Sequence, residues 1–256
     1  MTTLPTSTLI LAIGMAVAAG LVGCFAAMRR MTLAGDAFSH LALPGIGIAL
    51  VFRIQPFWGA LAALMIGAIL IWIMETRSRI ATETVTGIMF SSALAVGSLL
   101  ATKEELMDVL FGTPGRLSGS EFAIGLAGEI IVIVFVFAMR SRLVLSMVSP
   151  EIAHTAGIKV PRINLLYLLT FSLTVSLGLR YLGVLLMGSM IIIPAAVASR
   201  WAKNLNSMFA IASVTAVVST VGGYGLSLAW AKPTGPLTVS IASLLFVLGL
   251  FKPRES

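Results

Sequence analysis

Asp36 and His40 are the residues of this sequence best suited to chemistry, because both are ionisable and both fall inside an apolar stretch. An ionisable side chain within hydrocarbon is costly unless it is paired or hydrated, which makes it a functional candidate. Four residues apart, the two side chains share one face of a helix. A carboxylate and an imidazole are two of the ligands that divalent transition metals accept. The spacing is therefore compatible with a helix that handles a metal ion.

The same pair also has a simpler interpretation, in which Asp36 and His40 hydrogen-bond each other and a neighbouring helix. Two protein ligands are fewer than a metal site usually has. If the chain dimerised about a two-fold axis beside this helix, two pairs would supply four ligands. Both interpretations stay open at the level of the residues.

Glu129 and Glu83 are two further acidic residues in or beside apolar stretches. Glu129 is expected to reach the membrane interface or to pair with a polar neighbour, in preference to a direct role. Glu83 is expected in the first turn of a helix, where a carboxylate stabilises the positive end of the helix dipole.

The elements that must position these residues follow from composition. Of the 256 residues, 58% are hydrophobic and 11% are charged, and the mean hydropathy is +1.04. A soluble domain carries about a quarter charged residues, so this chain cannot face water all round. The composition predicts an all-α, polytopic membrane protein with a single transmembrane domain over residues 1–256. Cys24 is the lone cysteine, so no disulfide framework and no cysteine-based metal motif is expected.

Nine apolar segments are long enough for membrane-spanning helices, although eight spans are possible if two neighbours form a re-entrant hairpin. Interior prolines, Pro44 and Pro194, predict kinks in the second and seventh segments. The nine segments are residues 6–28, 31–52, 56–74, 84–101, 122–139, 163–179, 182–199, 207–230 and 235–251.

The 17 basic residues divide unevenly between the two sides of a nine-span drawing. The richer side of a membrane protein is cytoplasmic, which predicts an outer N-terminus and a cytoplasmic C-terminus in the cell membrane. Scattered in this way, the basic residues indicate no nucleic-acid surface. The inner side holds Arg29, Arg30, Arg77, Arg79, Arg140, Arg142, Lys159, Arg162, Arg200, Lys203, Lys252 and Arg254, and the outer side holds Arg53, Lys103, Arg116, Arg180 and Lys232.

Motifs for nucleotide or hydrolytic chemistry are missing from the sequence. It contains no G-x-x-x-x-G-K-[ST], no H-E-x-x-H and no G-x-S-x-G. The chain is therefore expected not to be an enzyme, and no permanently bound cofactor is expected.

Several stretches together resemble the permeases of metal-ion ABC transporters, the importers of zinc, manganese and ferrous iron. The most specific is the pattern G-D-A-x-S-H followed by A-L-P-G-I, which is preceded by two basic residues. The resemblance covers nearly the whole chain. Its segments are residues 20–47, 81–97, 110–118, 149–158 and 178–199.

This resemblance implies a function for the chain. The permease would form a two-fold dimer, couple to two cytoplasmic ABC ATPase subunits, and receive its ion from an extracytoplasmic metal-binding protein. Asp36 and His40 match the acidic and imidazole positions on the metal pathway. The cargo would be zinc, manganese or ferrous iron, carried by alternating access, and the residues alone do not select one metal.

The resemblance also assigns residues 149–158 to the contact with the ATPase, with Ser149 where an aspartate is commoner. Pro150 suits the first turn of a short helix, Ser149 can cap it, and Glu151 suits its dipole. Gly157 supplies a stop, which predicts a helix over residues 150–156. Ala153 belongs to the same coupling segment.

Two other functions remain as alternatives. Asp36 and His40 could relay protons in a secondary metal carrier that works without an ATPase. An intramembrane enzyme or assembly factor is the third possibility, which the missing hydrolytic motifs disfavour.

Overall fold

A computed structural model describes residues 6–31, 34–78, 80–100 and 118–251, and within these ranges every regular element is a helix. This confirms the predicted all-α fold. The 110–117 part of one matched segment and the basic residues at 79, 103, 116, 252 and 254 lie outside the described ranges. The helices are α1 (Thr6–Met28), α2 (Ala34–Leu41), α3 (Leu43–Val51), α4 (Pro56–Ser78), α5 (Thr82–Leu100), α6 (Gly119–Val148), α7 (Pro150–Thr155), α8 (Val160–Leu182), α9 (Val184–Trp201), α10 (Leu205–Trp230) and α11 (Thr234–Leu250).

Seven helical segments in the described ranges are long and apolar enough to cross a membrane, counting α2 and α3 together as one. Two shorter apolar helices, Leu186–Trp201 and Thr234–Leu250, occupy the other two predicted segments. All nine predicted segments therefore coincide with apolar helical stretches.

The second predicted segment is not one continuous helix. α2 ends at Leu41, and α3 begins two residues later with Pro44 in its first turn. Proline has no backbone N–H to donate and clashes with the preceding turn, so the helix restarts at this point. Pro194 behaves differently, because α9 continues through it.

α1 forms the centre of the bundle. It packs against α6, α8, α9 and α10, and most of its side chains are buried. Phe25 of α1 contacts the rings of Tyr167 in α8 and Phe209 in α10 edge to face, at centroid distances of 6.3 and 5.5 Å. Tyr167 also donates a 3.2 Å hydrogen bond to the carbonyl oxygen of Val22. These contacts fix the helices that surround α1.

Two ion pairs join helices at opposite ends of the bundle. At one end, Arg29 after α1 lies 3.4 Å from Glu75 of α4. At the other end, Arg180 of α8 pairs with Glu121 in the first turn of α6. Both pairs lie near helix termini, where charged heads can reach the interface instead of remaining in hydrocarbon.

Glycine allows α3 and α4 to cross almost backbone to backbone. A Cβ added at Gly45 would overlap the carbonyl oxygen of Gly59, and one added at Gly59 would overlap that of Gly45. Paired small residues of this kind are the usual means of close helix association in membranes.

We expect Gly45→Ala to lower the melting temperature of the purified protein by several degrees. The added methyl meets backbone on the facing helix, so α3 and α4 must separate, and overpacking of this kind costs about 1–3 kcal/mol. Gly225→Ala is the matched control, because nothing lies within 4 Å of its added Cβ. Equal melting temperatures for the two variants, measured by thermal unfolding in detergent, would contradict the tight crossing.

Candidate functional site

α2 is held by close contacts on the side away from the candidate ligands. Gly35 packs against α9, and a Cβ added at Gly188 of α9 would lie 3.1 Å from the Cα of Asp36. Phe38 is fully buried and meets Phe171 of α8 at a centroid distance of 4.9 Å. Ser39 donates its hydroxyl to the carbonyl oxygen of Gly35 at 2.8 Å. These contacts leave the Asp36 side chain mostly exposed and the His40 side chain partly buried against Phe90 of α5.

The predicted pairing of Asp36 and His40 on one helix face is present. Nε2 of His40 lies 3.8 Å from Oδ1 of Asp36, which is beyond hydrogen-bond length. The side chains are 21% exposed for His40 and 60% exposed for Asp36. Nδ1 of His40 is buried without a hydrogen-bond partner among the described residues, and the ring meets Phe90 edge to face at 5.3 Å. Asp36 and His40 therefore do not form a hydrogen bond with each other.

A cavity of about 220 Å³ lies between α2 and α5 beside this pair. Asp36, Glu83, Thr86 and Phe90 line it. Thr86 donates to the carbonyl oxygen of Thr82 at 2.7 Å, so its hydroxyl is satisfied within α5. The carboxylates of Asp36 and Glu83 are the acidic groups of the lining, and they give the cavity a negative character that suits a cation.

Glu83 is the residue whose place at the site the sequence did not indicate. It lies in the first turn of α5, as its helix-dipole role predicts. Its position beside the cavity depends on how α2 packs against α5. The spacing of residues within one segment does not indicate which other segment that helix contacts.

One chain supplies an incomplete set of metal ligands. In the part of the chain that the structure describes, no three His, Cys, Asp or Glu side chains are grouped closely enough to hold an ion. Asp36 and Glu83 therefore lie on the cavity wall as two separate carboxylates, with His40 one helical turn from Asp36.

The expectation for Glu129 was wrong. Glu129 is 2% exposed, and its Oε1 atom is buried with no hydrogen-bond partner among the described residues. The carboxyl group packs on Gly14 of α1, where an added Cβ would overlap it. The side chain neither reaches the interface nor pairs with a polar neighbour, because the small residue opposite it creates a niche within the bundle.

The predicted coupling segment contains a short helix, α7, which ends at Thr155, one residue before the predicted end. Ser149 occupies the N-cap position but makes no side-chain capping bond, which corrects that part of the prediction. Gly157 has φ of +76°, a conformation that favours glycine and stops the helix. Ala153 is fully buried, whereas Ile152 is 58% exposed.

An interrupted apolar helix beside a cavity that holds carboxylates is a feature common in membrane transporters. The sequence matches the model of the ABC 3 transport family over residues 2–253, and the chain belongs to that family.

Relatives in this family match over most of their length. The high-affinity zinc uptake system membrane protein ZnuB of Haemophilus influenzae is 31% identical, over 90% of both chains. The manganese transport system membrane protein MntC of Halalkalibacterium halodurans is 32% identical, over 92% of this chain and 83% of that one. The solved structure of PsaBC from Streptococcus pneumoniae in complex with Fab superposes with a TM-score of 0.84 at 27% identity, covering 98% of this chain and 92% of that chain.

We expect Asp36→Cys, in a Cys24→Ala background, to react with a water-soluble maleimide in membrane vesicles, because the Asp36 side chain is 60% exposed and lines the cavity. Phe38→Cys is the matched control on the same helix, and it should stay unmodified because Phe38 is fully buried. Mass spectrometry of the labelled protein provides the measurement. If position 36 reacted solely with lipid-soluble reagents, the cavity would face lipid and the assignment would fail.

Proposed function

We propose that this chain is the permease subunit of an ATP-driven importer that carries a divalent transition metal across the membrane by alternating access. The observation that carries the proposal is the Asp36–His40 pair: Nδ1 of His40 has no hydrogen-bond partner among the described residues, and Asp36 lines a cavity together with Glu83. The names of the zinc and manganese relatives support these two metals as cargo. The proposal of ferrous iron as a third cargo rests on the motif resemblance alone.

The donor types suit this cargo. Imidazole binds zinc and iron well, and carboxylate binds manganese, so a mixed pair accepts each of the three metals. A small number of ligands is also an advantage in transport, since an ion held by a complete set would leave slowly. No thiolate takes part, because Cys24 is buried in α1.

A two-fold dimer would complete the ligand set. Asp36 lies at the outer face of the single chain, with most of its carboxyl side chain uncovered. A second copy facing this surface would bring two aspartates and two histidines to one axis. The expected dimer thus supplies the donors that one chain lacks.

The remaining partners follow from membership of the family. ATP hydrolysis belongs to separate cytoplasmic ABC ATPase subunits, and an extracytoplasmic metal-binding protein delivers the ion. The uneven distribution of basic residues supports placing the α1–α2 and α6–α8 connections on the cytoplasmic side. In that orientation α7 faces the ATPase.

We expect Asp36→Asn or His40→Ala to reduce metal uptake at least tenfold, since each substitution removes two ligands from a symmetric dimer. Ser39→Ala is the matched control, because Ser39 is fully buried in α2 and its hydroxyl donates to the carbonyl oxygen of Gly35 in the same helix. Uptake of zinc, manganese and ferrous iron is measured metal by metal, in cells that lack their own importers and express the whole transporter.

Two outcomes would contradict the proposal. Normal uptake in a fully assembled Asp36 or His40 variant would remove these residues from the pathway. Uptake that persists with an ATPase subunit unable to hydrolyse ATP would indicate a secondary carrier.

We further propose that Ser149, Pro150, Glu151, Ala153 and Gly157 form the ATPase-coupling segment, with Ile152 as its contact residue. Ala153 packs inside the chain against α6 and α8, so its role is to seat α7. Ile152 leaves an apolar side chain uncovered on a six-residue helix. So short a helix is marginal in water and needs packing partners.

We expect Ile152→Asp to release the ATPase subunits during purification, because a charge replaces the apolar contact. Thr155→Ala on the same helix is the matched control and should retain them, since Thr155 bonds the backbone of its own helix. Co-purification is measured on gels and ATPase activity in vesicles. Intact, transport-competent complexes with Ile152→Asp would show that coupling occurs elsewhere.

A further inference from the structure

An apolar groove runs along the outside of the bundle between α6 and α10, with α1 as its floor. It has a volume of about 410 Å³. Val17 and Leu21 of α1 form the floor, Ile133 and Phe137 of α6 one wall, and Phe209 and Ala210 of α10 the other. We define these side chains as the α6–α10 groove.

One end of the groove is polar. Arg140 of α6 and Asn206 of α10 line it there, and Nη1 of Arg140 donates a 3.1 Å hydrogen bond to Oδ1 of Asn206. Both residues are exposed. The guanidinium carries five N–H donors, and this bond uses one of them. Arg140 forms no ion pair with any acidic side chain that the structure describes.

We place the polar end of the groove at the level where a membrane would meet its headgroups. Asn206 is the second residue of α10, so the helix begins at that level. From Ile133 to Arg140 the groove follows seven residues of α6, about 10 Å. This fits within one leaflet of a hydrocarbon core about 30 Å thick. The apolar part therefore lies at acyl-chain depth and Arg140 at phosphate depth.

We propose that the α6–α10 groove binds a phospholipid with a net negative headgroup, its acyl chain between the helices and its phosphate on Arg140. Charge complementarity is the reason for choosing an anionic phospholipid as the occupant. The guanidinium offers a planar, bidentate donor set to phosphate, and Asn206 keeps its amide N–H groups as further donors. Basic side chains between membrane helices attract anionic lipid headgroups, and Arg140 is the basic residue of the groove lining.

The experiment titrates the purified transporter with dioleoyl phosphatidylglycerol and, separately, dioleoyl phosphatidylcholine, and counts bound lipids by native mass spectrometry. Wild-type protein should bind the anionic lipid about fivefold more tightly, the effect expected from one basic side chain near an anionic group. Arg140→Gln should abolish this preference. Arg142→Gln removes the same charge two residues away, on another face of α6, and should keep it.

A second variant tests the apolar part. Ala210→Trp fills the groove and leaves Arg140 in place, so it should weaken binding of both lipids. Equal selectivity in Arg140→Gln and wild type, or equal loss in Arg140→Gln and Arg142→Gln, would overturn the proposal. So would efficient cross-linking of Phe137→Cys, in a Cys24→Ala background, to a second copy or another subunit, because the groove would then hold protein.

Discussion

The structure depends on close backbone contact between helices that have no water to drive them together. Within a bilayer, association comes from packing and from hydrogen bonds instead of the hydrophobic effect. α1 meets this constraint through small residues, since a Cβ at Gly23 would overlap the carbonyl oxygen of Ile191 in α9. α9 then holds α2 through the contact between Gly188 and Asp36. The position of the candidate ligand thus derives from a series of glycine contacts that begins at the centre of the bundle.

Most buried hydroxyls are satisfied without involving a neighbouring helix. Ser39, Thr86, Ser176, Ser219 and Thr220 each donate to the carbonyl oxygen four residues earlier. Such bonds are available to any serine or threonine in a helix. Aspartate, histidine and glutamate cannot be satisfied in this way by their own helix. Asp36, His40 and Glu129 therefore differ in kind from the other polar residues of the bundle.

Periodicity and hydropathy were sufficient to predict the helical class, the nine apolar segments and the shared face of Asp36 and His40, because these are properties of one segment at a time. Contacts between segments were not predictable in this way. The niche for Glu129 requires Gly14, which is more than a hundred residues away along the chain. Glu83 joins the cavity because α5 packs on α2. Ser149 was a reasonable cap by residue type, but a cap also needs a local geometry that Ser149 does not adopt.

The length of α6 has a mechanical consequence. Its 30 residues extend about 45 Å, against a hydrocarbon core of about 30 Å, so one end stands clear of the membrane. α6 rests on α1 at Glu129, and from there to Val148 the helix runs about 28 Å as a continuous rod. A rigid tilt of one degree about Glu129 would displace the far end by about 0.5 Å, as follows from that length. Because α6 is buried again at Val136 and Leu143 and α7 begins two residues beyond Val148, any such tilt would move the bundle contacts of α6 and the position of α7 together.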